Sequence, residues 1–252
     1  MFSLANKHCI ITGGSRGIGL AIAQLFASAG ASCTLIGRDT ARLSAAAKSL
    51  PLPLPHGTES AAAQGHKTHA FDVASGERWE EFVRDVVKSG RIDVLVNAAG
   101  ISQNSFLFKT RRQDVEKLID TNLKGAIWGC QTVIPKMMKQ KSGCIVNVSS
   151  LLATHGGRGA SVYAATKAGI VGLTRSLAWE VGRFGIRANV LLPGYIQTDM
   201  TRGTDDKGEL SALIPLGRLG LAEEVAQAAV FLATNSYAHN CVLNIDGGLS
   251  AT

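Results

Sequence analysis

The chain has 252 residues, 46% hydrophobic and 18% charged, a balance that excludes a disordered or fibrous protein and fits one large α/β domain spanning residues 1–252. No apolar run reaches the roughly 18 residues that a membrane-spanning helix needs, and the opening MFSLANKHCIITGG enters a strand pattern at once, so neither a membrane span nor a cleavable targeting segment is expected. The net charge of +7 suits an anionic partner, a phosphorylated cofactor or an acidic carrier protein, or is a basic surface with no specific partner; its dispersed basic residues, without interleaved aromatics, argue against nucleic acid.

Residues 7–12 form the first strand pattern and run into Gly13, Gly14, Ser15, Arg16, Gly17, Ile18 and Gly19, after which Ala21, Ile22 and Leu25 mark one face of a helix over 18–28. Glycine permits the sharp turn and lets backbone N–H groups approach phosphate, and the helix N-terminus adds partial positive charge. After the first strand of a βαβ pattern, this turn predicts a dinucleotide site. The second strand, 32–37, ends on Gly37 and Arg38. An NAD site carries an acidic residue here for the ribose hydroxyls, whereas Arg38 with Arg16 could clamp a ribose 2′-phosphate; NADP(H) is favoured, with Asp39 keeping the acidic alternative open. Because cellular NADP is held largely reduced, reduction is the expected direction.

A helix over 40–49 leads to 50–66, LPLPLPHGTESAAAQGH, whose prolines, glycines and small polar residues read as an exposed, mobile insert. Strands at 68–72, 94–97, 143–149, 187–192 and 242–245 follow, with helices at 77–88, 112–138, 160–181 and 222–233 between them. Seven strands alternating with helices predict a doubly wound Rossmann fold, a parallel sheet covered on both faces with ligands at the carboxyl ends of the strands. A stretch at 199–213 containing TRGTDDKGE is a candidate flap over the substrate. Cys9, Cys33, Cys130, Cys144 and Cys241 are odd in number and form no C-x-x-C pair, so they read as buried thiols of a reducing compartment, and no metal site is expected.

Tyr163 and Lys167 lie four residues apart, on one face of the helix over 160–181. A free phenol titrates near pH 10, so Tyr163 exchanges a proton readily only if its anion is stabilised, and an ammonium one turn away does that. Carbonyl reduction needs such a group, because hydride delivery leaves negative charge on oxygen that calls for a hydrogen bond and then a proton.

These pieces resemble the short-chain dehydrogenase/reductase family over essentially the whole chain: TGGSRGIG at 12–19, Asp72-Val73, NAAG at 97–100, Asn122 in DTNLKG, Ser150 in VNVSS, YAATK at 163–167 and PGYIQT at 193–198. The resemblance implies that Asp72 and Val73 bracket an adenine, that Asn97, Ala98, Ala99 and Gly100 line the cofactor cleft, and that Pro193, Gly194, Ile196 and Thr198 lie along the nicotinamide. It makes Ser150 rather than Ser149 the hydrogen-bond donor, Tyr163 the proton donor, Lys167 the ligand of the nicotinamide ribose, and Asn122 the holder of a water that feeds protons to Lys167. Ala164, Ala165, Ala168, Gly169 and Gly172 would serve close helix packing, and the family's habit of pairing subunits through this helix implies a homotetramer.

Within the family, IPLGRLGLAEEVAQAAVFLATNSY, IDGG and PGYIQTDM are most similar to the 3-oxoacyl-(acyl-carrier-protein) reductases of fatty acid synthesis. That implies NADPH-dependent reduction of a carrier-bound 3-oxoacyl thioester, in a mitochondrial matrix or the cytoplasm, with Lys136, Lys139, Lys141 and Arg183 as a rim for the acidic carrier. A reductase of free ketones, quinones, steroids or polyketide intermediates stays open, as does a cofactor-binding scaffold without turnover. The chain departs from the family in the longer insert at 50–66 and at Tyr237-Ala238-His239-Asn240, where relatives commonly read Tyr-Ile-Thr-Gly; Asn240 is expected to take the left-handed turn of that glycine.

Overall fold

The computed structural model describes residues 3–53, 65–88, 90–203, 205 and 208–251. Most of the expected insert, 54–64, and residues 204, 206 and 207 of the expected flap lie outside the described residues. In chain order the structure runs β1 (His8–Thr12), α1 (Gly17–Ser28), β2 (Ser32–Gly37), α2 (Thr40–Ser49), β3 (Lys67–Ala70), α3 (Gly76–Lys88) and β4 (Val94–Asn97). It continues through α4 (Arg112–Ile119), a π-helical turn (Asp120–Lys124), α5 (Gly125–Gln140), β5 (Gly143–Val148), α6 (Leu152–His155) and α7 (Ser161–Val181). The chain then forms β6 (Ile186–Pro193), α8 (Glu209–Leu213), α9 (Ala222–Thr234) and β7 (Val242–Ile245).

The seven strands form one parallel sheet in the order β3-β2-β1-β4-β5-β6-β7, so the winding reverses between β1 and β4. Neighbouring side chains on a strand point to opposite faces, and in the central strands both faces are buried. Ile11, Val96 and Val146 pack with Ile22, Phe26, Val225 and Ala229 under α1 and α9, while Ile10, Leu95 and Ile145 pack with Trp79, Phe82, Val133 and Met137 under α3 and α5. That double burial is why the central strands read as continuous apolar runs rather than alternating ones. Four of the five cysteines are buried in these layers; burial raises Cys33 and Cys130 to about 12, Cys144 to about 11, and Cys9 well above its ordinary value. Among the described residues no helix is long and apolar enough to cross a membrane.

The single helix expected over 112–138 is interrupted. Its middle turn is π-helical, and an extra residue per turn there is a frequent mark of functional sites. Close contacts follow directly after the break, in α5: a Cβ at Gly125 would come within 2.8 Å of Val73, and one at Gly129 within 2.8 Å of Asn97 Oδ1 and 3.2 Å of Trp79. The third strand is shorter than expected, ending at Ala70 and leaving Asp72 in the following loop, although the Phe71 N–H still donates to Gly37 O at 2.8 Å. Asn240 takes φ +57°, the left-handed conformation expected of it. Since α5 has no slack at Gly129, Gly129→Ala should lower stability by about 1–3 kcal/mol through overpacking, read as a lower denaturation midpoint with an unchanged denaturant slope.

Candidate active site

The β1–α1 turn is held by close backbone approaches rather than by side chains. Gly13 and Gly17 have φ of +67° and +55°; a Cβ at Gly19 would lie 2.4 Å from Gly13 O, and one at Gly13 would lie 2.9 Å from Ala98 O. Thr12 Oγ1 accepts from Ala98 N at 3.0 Å and Ala99 N at 3.1 Å, which ties the end of β1 to the loop after β4. Arg16 precedes α1 in extended conformation and gives it no side-chain cap, and the first turn carries no acidic residue. The N–H groups of that turn therefore face the cleft without a carboxylate or hydroxyl to answer them, the condition for receiving an anion.

The cleft beside this turn is lined by Gly13, Ser15, Arg16, Gly17, Ile18 and Gly19, and farther along by Arg38, Asp72, Val73, Ala98, Ala99, Gly100 and Thr198. Asp39 also lines it, as do Arg42, Phe71, Thr121 and Asp199, which were not singled out from sequence. Asp39 is committed elsewhere: Oδ1 accepts from Arg42 N at 3.0 Å as the cap of α2, and Oδ2 lies 3.3 Å from Arg42 Nε. Arg38, exposed at the cleft, makes no ion pair among the described residues. Across the mouth, Asp199 lies 3.7 Å from Arg16 and 2.9 Å from Arg202.

Gly100 connects the cleft to a second group of side chains. A Cβ there would stand 3.4 Å from Asn122 Oδ1 and 3.5 Å from Lys167 Nζ. Asn122, buried in the π turn, accepts from Ile101 N at 2.8 Å and donates to Ile101 O at 2.9 Å and Thr166 Oγ1 at 3.3 Å. Lys167 is 4% exposed; its ammonium donates to Val148 O at 2.9 Å and lies 5.7 Å from the Tyr163 ring centre, and burial lowers its pKa to about 8. Burial also pushes the Tyr163 phenol up, and a hydrogen bond with Ser150 offsets part of that rise. Desolvation thus dominates at the phenol, and the opposing contribution comes from Ser150 rather than from the Lys167 expected to stabilise the phenolate. Ser150 Oγ also accepts from Leu152 N at 3.2 Å, whereas Ser149 Oγ turns the other way and donates to Lys167 O at 2.7 Å.

The remaining residues singled out from sequence divide. Pro193 O accepts from Leu151 N, Gly194 N donates to Ile245 O, and Ile196 is buried and bridges to Gly220, so these three brace the loop while Thr198 reaches the cleft beside Gly17. Asn97 was expected in the cleft lining but its amide points under α5, donating to Asn147 Oδ1 at 2.9 Å; Asn147 in turn donates to Thr174 Oγ1 at 2.9 Å. The basic rim is also displaced. Lys136 and Lys139 lie in the last turns of α5, Lys141 just before β5 and Arg183 just after α7, so they stand at the amino end of the sheet, opposite the Ser150 and Tyr163 of their own chain. Helices that cross back over a parallel sheet run antiparallel to it, and their last turns fall at the strand starts. A cavity of about 740 Å³ opens at that end, but Lys7, Asp93, Arg187 and His239 in its wall are occupied with one another or with backbone. Gln103, which sequence patterns did not mark, accepts at Oε1 from Val162 N at 2.8 Å and Tyr163 N at 3.0 Å.

Comparison with known proteins agrees with this architecture. The short chain dehydrogenase family matches residues 7–209. The 3-oxoacyl-[acyl-carrier-protein] reductase FabG of Chlamydia muridarum is 43% identical over 253 residues, covering 98% of each chain. The Homo sapiens protein named 3-oxoacyl-[acyl-carrier-protein] reductase is 40% identical over 245 residues, covering 97% of this chain and 98% of that one, and carbonyl reductase family member 4 of Xenopus tropicalis is 38% identical over 244 residues, covering 96% and 98%. Among solved structures, a putative NAD(P) dependent gluconate 5-dehydrogenase from Beutenbergia cavernae, with bound NADP at low occupancy, superposes with a TM-score of 0.90 at 33% identity, covering 100% of this chain and 99% of that one. With its glycine turn, its sheet and its full-length relatives in agreement, the chain is an oxidoreductase belonging to the short-chain dehydrogenase family.

Proposed function

We propose that this protein reduces a 3-oxoacyl thioester, carried on an acyl-carrier protein, to the 3-hydroxyacyl thioester with NADPH. The observation that carries the reading is that Lys167 and Asn122 stand beside Gly100, with Tyr163 next to Lys167 and bonded to Ser150, at the end of a cleft with an open helix N-terminus and free arginine charge. Relatives named for this reaction match over almost the full chain, which supports the substrate class. The intact polar set argues against a scaffold without turnover. A second reading, reduction of free carbonyl compounds, is favoured by the similarity to carbonyl reductase family member 4.

The residues present fit a pyridine dinucleotide. Gly13, Gly17 and Gly19 leave a backbone cradle that a side chain would fill, and the uncapped N–H groups of α1 would hold the diphosphate. Arg38 stands free for a 2′-phosphate, while the Asp39 carboxylate, engaged by Arg42, is not free for ribose hydroxyls. When bound in reduced form, such a cofactor supplies the hydride. Ser150 then holds the substrate oxygen by a hydrogen bond as charge develops on it, and Tyr163 donates the proton. Lys167, whose ammonium stands beside Gly100, would hold the ribose hydroxyls, and these acceptors would make it easier to keep charged beside the phenol.

Two wider features belong to the same proposal. The outer face of α7 exposes Ala165, Ala168 and Gly172, small residues that let another helix approach, with Trp179 88% exposed farther down; a homotetramer paired through this face fits them. Five free cysteines fit a reducing compartment, mitochondrial matrix or cytoplasm.

Initial rates with acetoacetyl-carrier, acetoacetyl-CoA and free diketones, each with NADPH and NADH, test the assignment: the carrier substrate with NADPH should lead, and equal rates on free diketones would favour the second reading. Tyr163→Phe should lower kcat by roughly 10²–10⁴-fold with NADPH binding retained. Arg38→Asp should cut the preference for NADPH over NADH by about 10–100-fold, the worth of one or two charge-assisted bonds. The Lys167 ammonium also carries a pH signature. Its folded pKa of about 8 lies below the ordinary lysine value of 10.5, so the unfolded chain binds the extra proton between these limits and stability rises with pH across that window. The cost of the buried charge, roughly 3 kcal/mol, is fully present below pH 8. Lys167→Met should therefore unfold at higher denaturant than the parent at pH 7 in the absence of cofactor, with the advantage shrinking toward pH 10, while losing activity.

A further inference from the structure

α7 begins without a cap of its own. Ala160, the residue before its first turn, has no polar side chain, and the early N–H groups of a helix have no partner within it. Two of them, at Val162 and Tyr163, donate to a single oxygen, Gln103 Oε1, at 2.8 and 3.0 Å. Gln103 is fixed at its other end, where Nε2 donates to Ser105 O at 2.9 Å and Thr110 Oγ1 at 3.2 Å. The strap that carries it is tied twice more: Asn122 holds both backbone groups of Ile101, and Ser105 N donates to Gly159 O at 3.0 Å. Residues 101–105 thus join the π turn bearing Asn122 to the helix turn bearing Tyr163.

We infer that Gln103 is a positioning residue for proton transfer: it sets the height and rotation of the first turn of α7, and so the aim of the Tyr163 phenol relative to Ser150 and Lys167. The amide suits this task because both of its ends are used. Its oxygen answers the helix, and its nitrogen answers the strap, so neither side can slide without breaking a bond. Displacement of a reacting group by about 1 Å can cost two orders of magnitude in rate, and the shared acceptor acts on the Tyr163 backbone itself. The inference rests on the reading of Tyr163 as proton donor.

Gln103→Met keeps the length and removes every hydrogen bond, whereas Gln103→Glu restores the acceptor for Val162 and Tyr163. With acetoacetyl-CoA and NADPH, well below each variant's melting temperature, Gln103→Met should lose about tenfold or more in kcat with its Kd for NADPH, read by nucleotide fluorescence, unchanged. Gln103→Glu should recover most of that rate. A Gln103→Met protein that melts earlier but turns over at the parent rate, or a loss shared in full by Gln103→Glu, overturns the inference. If Gln103→Met does not fold, Thr110→Val, which removes one anchor of the amide, should show a smaller loss of the same kind, and an unchanged kcat there is equally fatal. Tyr163→Phe is measured alongside: full activity in it removes the proton-donor reading and this inference together, while an inactive Tyr163→Phe beside a fully active Gln103→Met removes the inference alone.

Discussion

Lys167 sits in the interior with its ammonium on Val148 O and its own carbonyl on Ser149 Oγ, so consecutive residues at the end of β5 hold it at both side chain and backbone. A buried charge is tolerated only where its hydrogen-bond directions are answered, and this requirement organises what surrounds it. The end of β5 must be rigid, which its pairing with β4 on one side and β6 on the other provides. Gly100 brings the loop after β4 up to this group, where a Cβ would meet both Nζ and Asn122 at ordinary contact distance. The chemistry of the site then follows from position: a phenol made a weaker acid by burial and an ammonium made a stronger one lie on the same helix turn, driven apart in pKa.

The cleft obeys a different constraint, backbone proximity. Between β1 and β4, where the winding reverses, Gly13 nearly touches the loop after β4 and Gly19 nearly touches Gly13. No charged side chain is needed to make the floor attractive to phosphate; the peptide dipoles of α1 do that, and the arginines are reserved for the rim. Floor and rim therefore differ in kind, backbone dipoles below and side-chain charge above, and in the proposed function they separate affinity for a diphosphate from choice between cofactors.

Much of this was legible in the sequence because its signals are local. A glycine turn after an apolar strand, strand-length apolar runs between helical periods, and the Tyr163 and Lys167 spacing each depend on a few adjacent residues. What escaped depends on partners far along the chain. Asn97 looked like cleft lining, but its side chain alternates to the face where Asn147, fifty positions on, receives it. Asp39 looked available to a ribose until the start of α2 claimed it as a cap. The π turn has no composition signature; it stands just before α5, which presses on Val73 and Trp79 through Gly125 and Gly129. Gln103 reads as an ordinary loop residue, and only the arrival of α7 some sixty positions later gives its oxygen something to do.

The sulfur atoms carry a practical consequence. Thiolate, not thiol, attacks electrophiles, and interior placement suppresses thiolate formation at Cys9, Cys33, Cys130 and Cys144. Cys241, partly open to solvent just before β7, stands apart from them. A maleimide or iodoacetamide probe should accordingly find one address on the folded chain without any cysteine being engineered away, at the sheet edge opposite β3.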